Sequence, residues 1–235
     1  MSVLANKPGE NQTYVGNAAE RSAHSPALSA TRVRLRPVSQ ADVARLYAIV
    51  TDEKVAWRWR FNGQLPGYEQ FVATFHAGVL LQLAVTPRDR DEVIGLVVCY
   101  NADLRNGVAY FAMTGSPRVI GTGVLMKAAG LFLGYLFSTW PLRKIYLEAL
   151  EFNLSTYATG MGRYFSEAGC LKDHHYFDGR YWDQHILVID REEFLSAPVV
   201  ERLLSQSADG SAPPADERSG QVQPGVGLGR LTKKE

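Results

Sequence analysis

The sequence predicts a mixed α/β fold: one parallel strand pair in an otherwise antiparallel sheet, with helices on the sheet's faces. Three observations predict it. Short runs rich in β-branched and aromatic residues are bounded by turn residues. Helical apolar stripes follow the first of these runs. A long apolar helix lies between two later runs. That strand, helix, strand succession is a right-handed crossover, so its two strands run parallel, and hairpin-like turns make the other pairings antiparallel.

The elements follow in order. "TRVRLRPV" alternates, with Val33 and Leu35 on one side and arginines on the other, and reads as a strand. Ser39 is placed to cap "QADVARLYAIVTD", where Val43, Leu46, Tyr47 and Val50 form a stripe. "EKVAWRWRFNGQLPG" reads as a loop and "YEQFVATFHAG" as a short helix ending at Gly78. Three strands follow, "LLQLAVT", "EVIGLVVCYN" and "GVAYFAMTG", separated by the turns "PRDRD" and "ADLRNG". "SPRVIGTGVLMKAAGLFLGYLF" supplies a loop and then a helix, and "RKIYLEALEF" another strand. "NLSTYATGM" is a short helix with Asn153 as cap. "RYFSEAGCLKDHHYF" and "RYWDQHILVID" are strands joined by Asp178-Gly179, a strong two-residue hairpin signal. "REEFLSAPVVERLLSQ" gives C-terminal helical turns.

Composition bounds the reading. The 235 residues, 46% hydrophobic and 21% charged, suit one globular domain able to bury a core. Residues 1–30 and 206–235 lack periodicity and are rich in small, polar, Gly and Pro residues, so both are expected to be disordered tails around a domain at 31–205. A net charge of +1 argues against a nucleic-acid partner. Cys99 and Cys170 are the only cysteines, too few for a disulfide framework or a zinc ligand set. No basic-then-apolar leader is readable, and a cytoplasmic protein with reduced thiols is expected. The run 119–137 is near the length of a membrane span, but Lys127 sits inside it, and a lysine at a bilayer centre costs roughly 2.5–3.5 kcal/mol. A core helix packed on a sheet fits better, and no membrane partner is expected.

The loop before that helix carries the chemistry. Arg118, Gly121 and Gly123 lie between a strand and a helix N-terminus. Glycines allow a tight turn whose N–H groups approach an anion, and the first helical turn adds unpaired donors and the positive end of a dipole. Arg118 adds charge for phosphates. A phosphate cradle is one reading and a plain glycine turn the other. Neither a Walker A loop nor a dinucleotide fingerprint fits, because Gly-Lys-Ser/Thr is missing and Met126 stands where the third glycine belongs.

Arg118-x-x-Gly121-x-Gly123 resembles the Arg/Gln-x-x-Gly-x-Gly/Ala signature of the GNAT superfamily of N-acetyltransferases. "LRKIYLEALEFN", ending at Asn153, is similar to the strand and asparagine that follow in that family. The stretch from Asn153 through Phe165, Gly169, Leu171 and Lys172 to the "YFDGRYWD" hairpin (Tyr176 to Asp183) resembles the subgroup that acetylates the N-termini of ribosomal proteins. The resemblance covers about residues 31–194. It implies a GNAT-like mixed, mostly antiparallel sheet with a central, splayed parallel pair and helices on both faces. It also implies acetyl-CoA, or another acyl-CoA, as co-substrate without a metal. The backbone of Val119, Ile120, Gly121, Thr122, Gly123 and Val124 would hold the pyrophosphate with Arg118. Ala112, Met113 and Thr114 would flank the pantetheine, with an N–H near Met113 polarising the thioester carbonyl. Asn153 would bind the pantetheine or the leaving side of CoA.

The family's acid is a Tyr seven residues after the asparagine, or a Ser three after it. Those positions hold Gly160 and Thr156 here. Thr156 is the first candidate proton donor and Ser155 the second, with Tyr157 or Tyr164 replacing them if the helix is shifted. The subgroup's basic Glu stands just before Gly169, where this chain has Ala168. Glu167 precedes it, and one residue's shift turns a strand side chain to the other face. Glu148 is the reserve base, and solvent alone is a third possibility. Trp57, Arg58, Trp59 and Arg60 lie in the loop that walls the acceptor in this family. His174 and His175 are adjacent on a strand and point apart, which argues against a shared metal. The expected activity is acyl transfer to a primary amine, a protein N-terminus or a small molecule, by direct attack in a ternary complex. The alternative is a non-catalytic acyl-CoA-binding module. Monomer and homodimer both stay open.

Overall fold

The computed structural model describes residues 28–59, 61, 63–157, 160–162 and 164–208, with backbone only at Thr156 and 206–208. The expected tails lie largely outside them. The chain runs β1 (Ser29–Ala30), β2 (Val33–Pro37), α1 (Asp42–Val50), a 3-10 turn (Ala56–Arg58), α2 (Tyr68–Thr74), β3 (Val79–Pro87), β4 (Gly95–Asp103) and β5 (Val108–Gly115). It continues with α3 (Val124–Thr139), β6 (Lys144–Leu150), a 3-10 turn (Glu151–Asn153), α4 (Leu154–Tyr157), β7 (Ser166–Phe177), β8 (Arg180–Asp190), α5 (Arg191–Ser196) and α6 (Pro198–Ala208). The eight strands form one sheet in the order β1-β2-β3-β4-β5-β6-β8-β7. The β5–β6 pair is parallel and the other pairs are antiparallel.

The central strands read as unbroken apolar runs because both of their faces are buried. Leu83, Val85, Val97, Cys99 and Phe111 pack with Leu131, Phe132 and Leu136 of α3. Ala84, Leu96 and Val98 turn the other way, against Val43, Leu46 and Val50 of α1 and Phe71 of α2. Burial pushes the Cys99 thiol up to about 12, and both cysteines are free.

Helix α3 is apolar nearly all round because α6 covers the side that the sheet leaves open. A Cβ at Gly130 would lie 2.6 Å from Leu203 Cδ2, and one at Gly134 would lie 2.6 Å from Leu204 Cδ2. The two glycines are what let α6 close on α3. Lys127 is exposed at the start of the helix, and no helix among the described residues is long and apolar enough to cross a membrane.

The cap on α1 inverts the sequence expectation. Ser39 does not cap the helix with its own oxygen. Its N–H and hydroxyl both donate to Asp42 Oδ2, each at 2.7 Å. The same carboxylate takes two bonds from Arg36, at 2.6 and 2.9 Å. Paired carboxylate and guanidinium tie β2 to the start of α1 in a site where the Asp42 side chain is 9% exposed.

Arg36 first, and then Ser39, hold the Asp42 carboxyl well below the usual carboxylate range against the opposing effect of burial. A depressed pKa contributes stability above the unfolded-state value and loses it as pH falls through the folded value. Asp42→Ala is therefore expected to destabilise the fold by about 2–3 kcal/mol at pH 7. The gap should close only below about pH 4. Denaturant titrations from pH 7 downward check both points.

Candidate active site

The crossover strands part soon after they meet. β5 and β6 pair only at Val108↔Lys144, Ala109↔Ile145 and Tyr110↔Tyr146. Beyond these, β5 stays bonded to β4 as far as Gly115, and β6 stays bonded to β8 as far as Leu150. Between them the two facing backbone edges have no partner in each other, and buried backbone groups need partners.

A cavity opens on each side of this gap. The one beside α3 holds about 350 Å³ and is lined mostly by apolar groups from β5, α3, α5 and α6. The one on the α1 and α2 side holds about 310 Å³ and is polar, with Arg58, Tyr100, Glu148, Asn153, His175 and Gln184 in its wall. Phe111, Met113, Leu147 and Tyr157 line both, so the cavities meet at the neck of the splay.

The glycine loop closes one end. Gly121 and Gly123 have φ of +79° and +78°, and a Cβ at either would meet nothing within 4 Å. Conformation, not space, requires glycine there. The first bond of α3 runs from Lys127 N–H to Gly123 C=O at 3.2 Å. The amides of Ile120, Gly121, Gly123, Leu125 and Met126 have no backbone partner among the described residues. The expected cradle is corrected in part. Val119 N–H donates to Ser116 C=O at 3.0 Å, Thr122 N–H donates to Val119 C=O at 3.3 Å, and the turns thus occupy two of the six amides. Val124 N–H reaches only Thr122 Oγ1, at 3.5 Å. Beside the loop lies a cavity of about 510 Å³ whose wall includes Arg32, Arg45, Arg88, Arg90 and Arg118. Arg32, Arg88 and Arg118 make no ion pair among the described residues. Free amides with unpaired guanidinium groups around them form a setting for phosphate.

Residues 32–159 match the family model described as "Acetyltransferase (GNAT) domain". The chain belongs to this family. Its solved structural neighbours include the spermidine N-acetyltransferase of Vibrio cholerae in complex with CoA and spermine, with a TM-score of 0.61 and 22% identity over 70% of this chain and 98% of that one. A chimera of that Vibrio cholerae enzyme gives a TM-score of 0.61 and 20% identity over 71% of this chain and 99% of the other. At these identities the likeness is one of fold. No curated protein matches the chain.

The remaining candidate residues take their places on this GNAT frame. Ala112 and Met113 line the polar cavity, whereas Thr114 is buried and lines neither. The Asn153 side chain makes no cap bond among the described residues: its Oδ1 is buried without a hydrogen-bond partner there, and the residue lines the polar cavity. Glu148 lines that cavity as expected of the reserve base, and it makes no ion pair among the described residues. Glu167 does not. Ala168 is the extra residue of a bulge, and Glu167 instead meets His185 Nδ1 at 3.0 Å on the opposite face. Ser155 is exposed and lines neither cavity, and the Thr156 side chain and Arg60 lie outside the described residues. Of the tryptophans, Trp59 is a buried core residue that reaches the polar cavity, while Trp57 stacks on Phe177 at 4.0 Å.

The candidates read from the sequence do not include Tyr100, His175 or Gln184, and they place Tyr157 behind Thr156 and Ser155. Gln184 is buried in a strand and hydrogen-bonded to His175. A glutamine placed inward among apolar strand residues was the readable signal. Tyr157 stands at the neck, where burial pushes its phenol up and Arg58 pulls it back.

Gly123→Asp would place a carboxylate among the free amides. CoA affinity is expected to fall about ten- to a hundredfold, the equivalent of 1.4–2.8 kcal/mol of repulsion and lost bonding at an intermediate dielectric. Gly123→Ala carries the backbone strain without the charge and should lose less. Calorimetric titration of CoA into both variants checks the order.

Proposed function

We propose that this GNAT domain transfers an acetyl group from acetyl-CoA to a single primary amine by direct attack in a ternary complex. The observation that carries the reading is the meeting of two unlike cavities at the neck of the splay. The donor occupies the apolar cavity and the strand gap, with its diphosphate on the free amides of the glycine loop and near Arg118. Asn153 Oδ1, buried and without a hydrogen-bond partner among the described residues, fits an N–H or hydroxyl of the pantetheine arm. The acceptor enters from the polar cavity.

The chemistry needs a neutral amine, a polarised carbonyl and a proton for the departing sulfur. Glu148, directly or through water, takes a proton from the acceptor, whose nitrogen attacks the thioester carbonyl. A main-chain N–H of the Ala112–Met113 edge faces the oxygen as negative charge develops on it. The tetrahedral intermediate collapses, the C–S bond breaks, Tyr157 protonates the thiolate, and the extra proton still on the attacking nitrogen passes through solvent to the phenolate, leaving a neutral amide. Tyr157 takes this role because it lines both cavities, whereas Ser155 is exposed and lines neither. A raised pKa keeps it protonated at neutral pH, and Arg58 stabilises the phenolate it leaves.

Among the described residues, the acceptor cavity carries one carboxylate, Glu148, and one guanidinium, Arg58. That balance suits one amine better than a polycation, although a structural neighbour was solved with spermine. The hairpin from Tyr176 to Asp183 supports a protein N-terminus as the acceptor, and a small-molecule amine is the second reading. Free cysteines agree with a cytoplasmic setting.

Release of free thiol from acetyl-CoA, across a panel of peptides and small amines, tests the proposal. Turnover with at least one amine is expected. Tyr157→Phe should lower kcat by about a hundredfold or more without weakening CoA binding. Glu148→Gln should lower kcat/KM most at low pH, where the acceptor is most protonated. CoA binding without thiol release from any amine would favour the non-catalytic module instead.

A further inference from the structure

Away from both cavities, the outer hairpin gathers three side chains that the acyl-transfer reading leaves unused. Glu167 and Cys170 come from β7 and His185 comes from β8. One donor atom from each lies within 4.8 Å of the others. His185 Nδ1 is 3.0 Å from Glu167 Oε1, and Cys170 Sγ is 4.0 Å from His185 Nε2.

The bulge is what brings them together. In a regular strand, residues three apart point to opposite faces. Ala168 inserts one residue, so Glu167 pairs with Leu187 and Cys170 with His185. Leu187 and His185 are two apart on β8, so all three donors share the α3 side of the sheet. Gln184, the neighbour of His185, points the other way into the polar cavity.

We propose that Glu167, Cys170 and His185 bind a divalent cation of the zinc class, which clips the edge strand β7 to β8. A thiolate, an imidazole and a carboxylate are the donor types of zinc sites, and a water completes a tetrahedron. Hard cations such as calcium and magnesium want oxygen donors only. A tetrahedral zinc with one sulfur and one nitrogen ligand sets those two atoms about 3.6 Å apart. A metal takes only one ring nitrogen: at Nε2 the observed 4.0 Å to Sγ needs only a small closure, and Glu167, which meets Nδ1, has to swing along the ring edge to reach the ion, as its 43% exposed side chain is free to do. Two anionic ligands neutralise the dication. Lys172 faces the same sulfur, but it is held by Asp183 at 2.6 Å, so its charge is matched within the hairpin. The ion would displace the proton of Cys170 and any proton on His185, so binding should strengthen as pH rises.

Tag-free protein, stripped with chelator, is titrated with Zn2+ and separately with Co2+. One equivalent of Zn2+ is expected to bind and raise Tm, and Co2+ should give a thiolate-to-cobalt charge-transfer band in the near ultraviolet. Cys170→Ser should abolish the band. Cys170→Ser and His185→Gln should each weaken Zn2+ binding at least tenfold, and Glu167→Gln should weaken it less. His174→Asn, an exposed neighbour outside the cluster, should change nothing. The wild-type protein alone can overturn the proposal: no charge-transfer band and no zinc-dependent rise in Tm would do so. Zinc binding undiminished in the Cys170→Ser/His185→Gln double variant would overturn it as well.

Discussion

The divergence of β5 from β6 is the constraint on which the rest depends. Two parallel strands that share a crossover would normally stay paired along their length. Here each is held more firmly by its other neighbour: β5 by β4 to the end of the strand, β6 by β8 through Leu150. The crossover helix α3 is anchored from below by the sheet and from above by α6, so it cannot draw the two strands together. The outcome is a wedge-shaped opening through the middle of a sheet, with main-chain donors and acceptors along its sides. Such groups want partners, and an extended ligand with amides of its own is a suitable one.

The two faces of the sheet then acquire different jobs. On the α3 side, apolar packing runs up to the wedge and leaves a cavity with few polar groups. On the α1 and α2 side, polar residues crowd the wedge. Tyr100, Tyr110 and Tyr146 stack across β4, β5 and β6 at its base, with ring centroids 5.8 and 5.7 Å apart. On the proposed reading, this asymmetry separates a site for a thioester arm from a site for an amine. The loop of Gly121 and Gly123 stands at the end of the wedge because the strand it follows ends there. Its position is a consequence of topology, and its conformation is a consequence of two positive φ values.

Most of the fold was legible because periodicity survives without tertiary knowledge. Alternation in "VRLRP" and the turn at Asp178-Gly179 gave strands and a hairpin that the structure repeats, with φ of 51° and 78° at the turn. What was not legible is what pairing decides. Nothing local distinguishes Ser39 as a cap from Ser39 as a donor to Asp42; Arg36, arriving from β2, tips that choice. Nothing local announces the bulge at Ala168, which depends on the register against β8. The role of Gly130 and Gly134 needed α6 in view. Counting from Asn153 fixes a position along a helix, whereas which side of that helix meets the wedge, the side that brings Tyr157 to both cavities, is set by packing.

The displacement of Glu167 bears on which amines the site can serve. With it turned away, Glu148 is the carboxylate left in the wall of the polar cavity among the described residues, and it is exposed. An α-amine, with a pKa of roughly 7.7–8.0, is about a tenth neutral at pH 7, whereas a lysine-like amine near 10.4 is neutral in fewer than about one molecule in a thousand. The two acceptors thus differ by a few hundredfold in the population able to attack, equivalent to about 3–4 kcal/mol that the protein must supply for the second. A solvated carboxylate acting through water supplies little of that, because its own charge is well screened. An α-amine asks almost nothing beyond a path for its proton. On the proposed reading, a described acceptor wall with one carboxylate is therefore tolerable for an N-terminal amine and damaging for a more basic one.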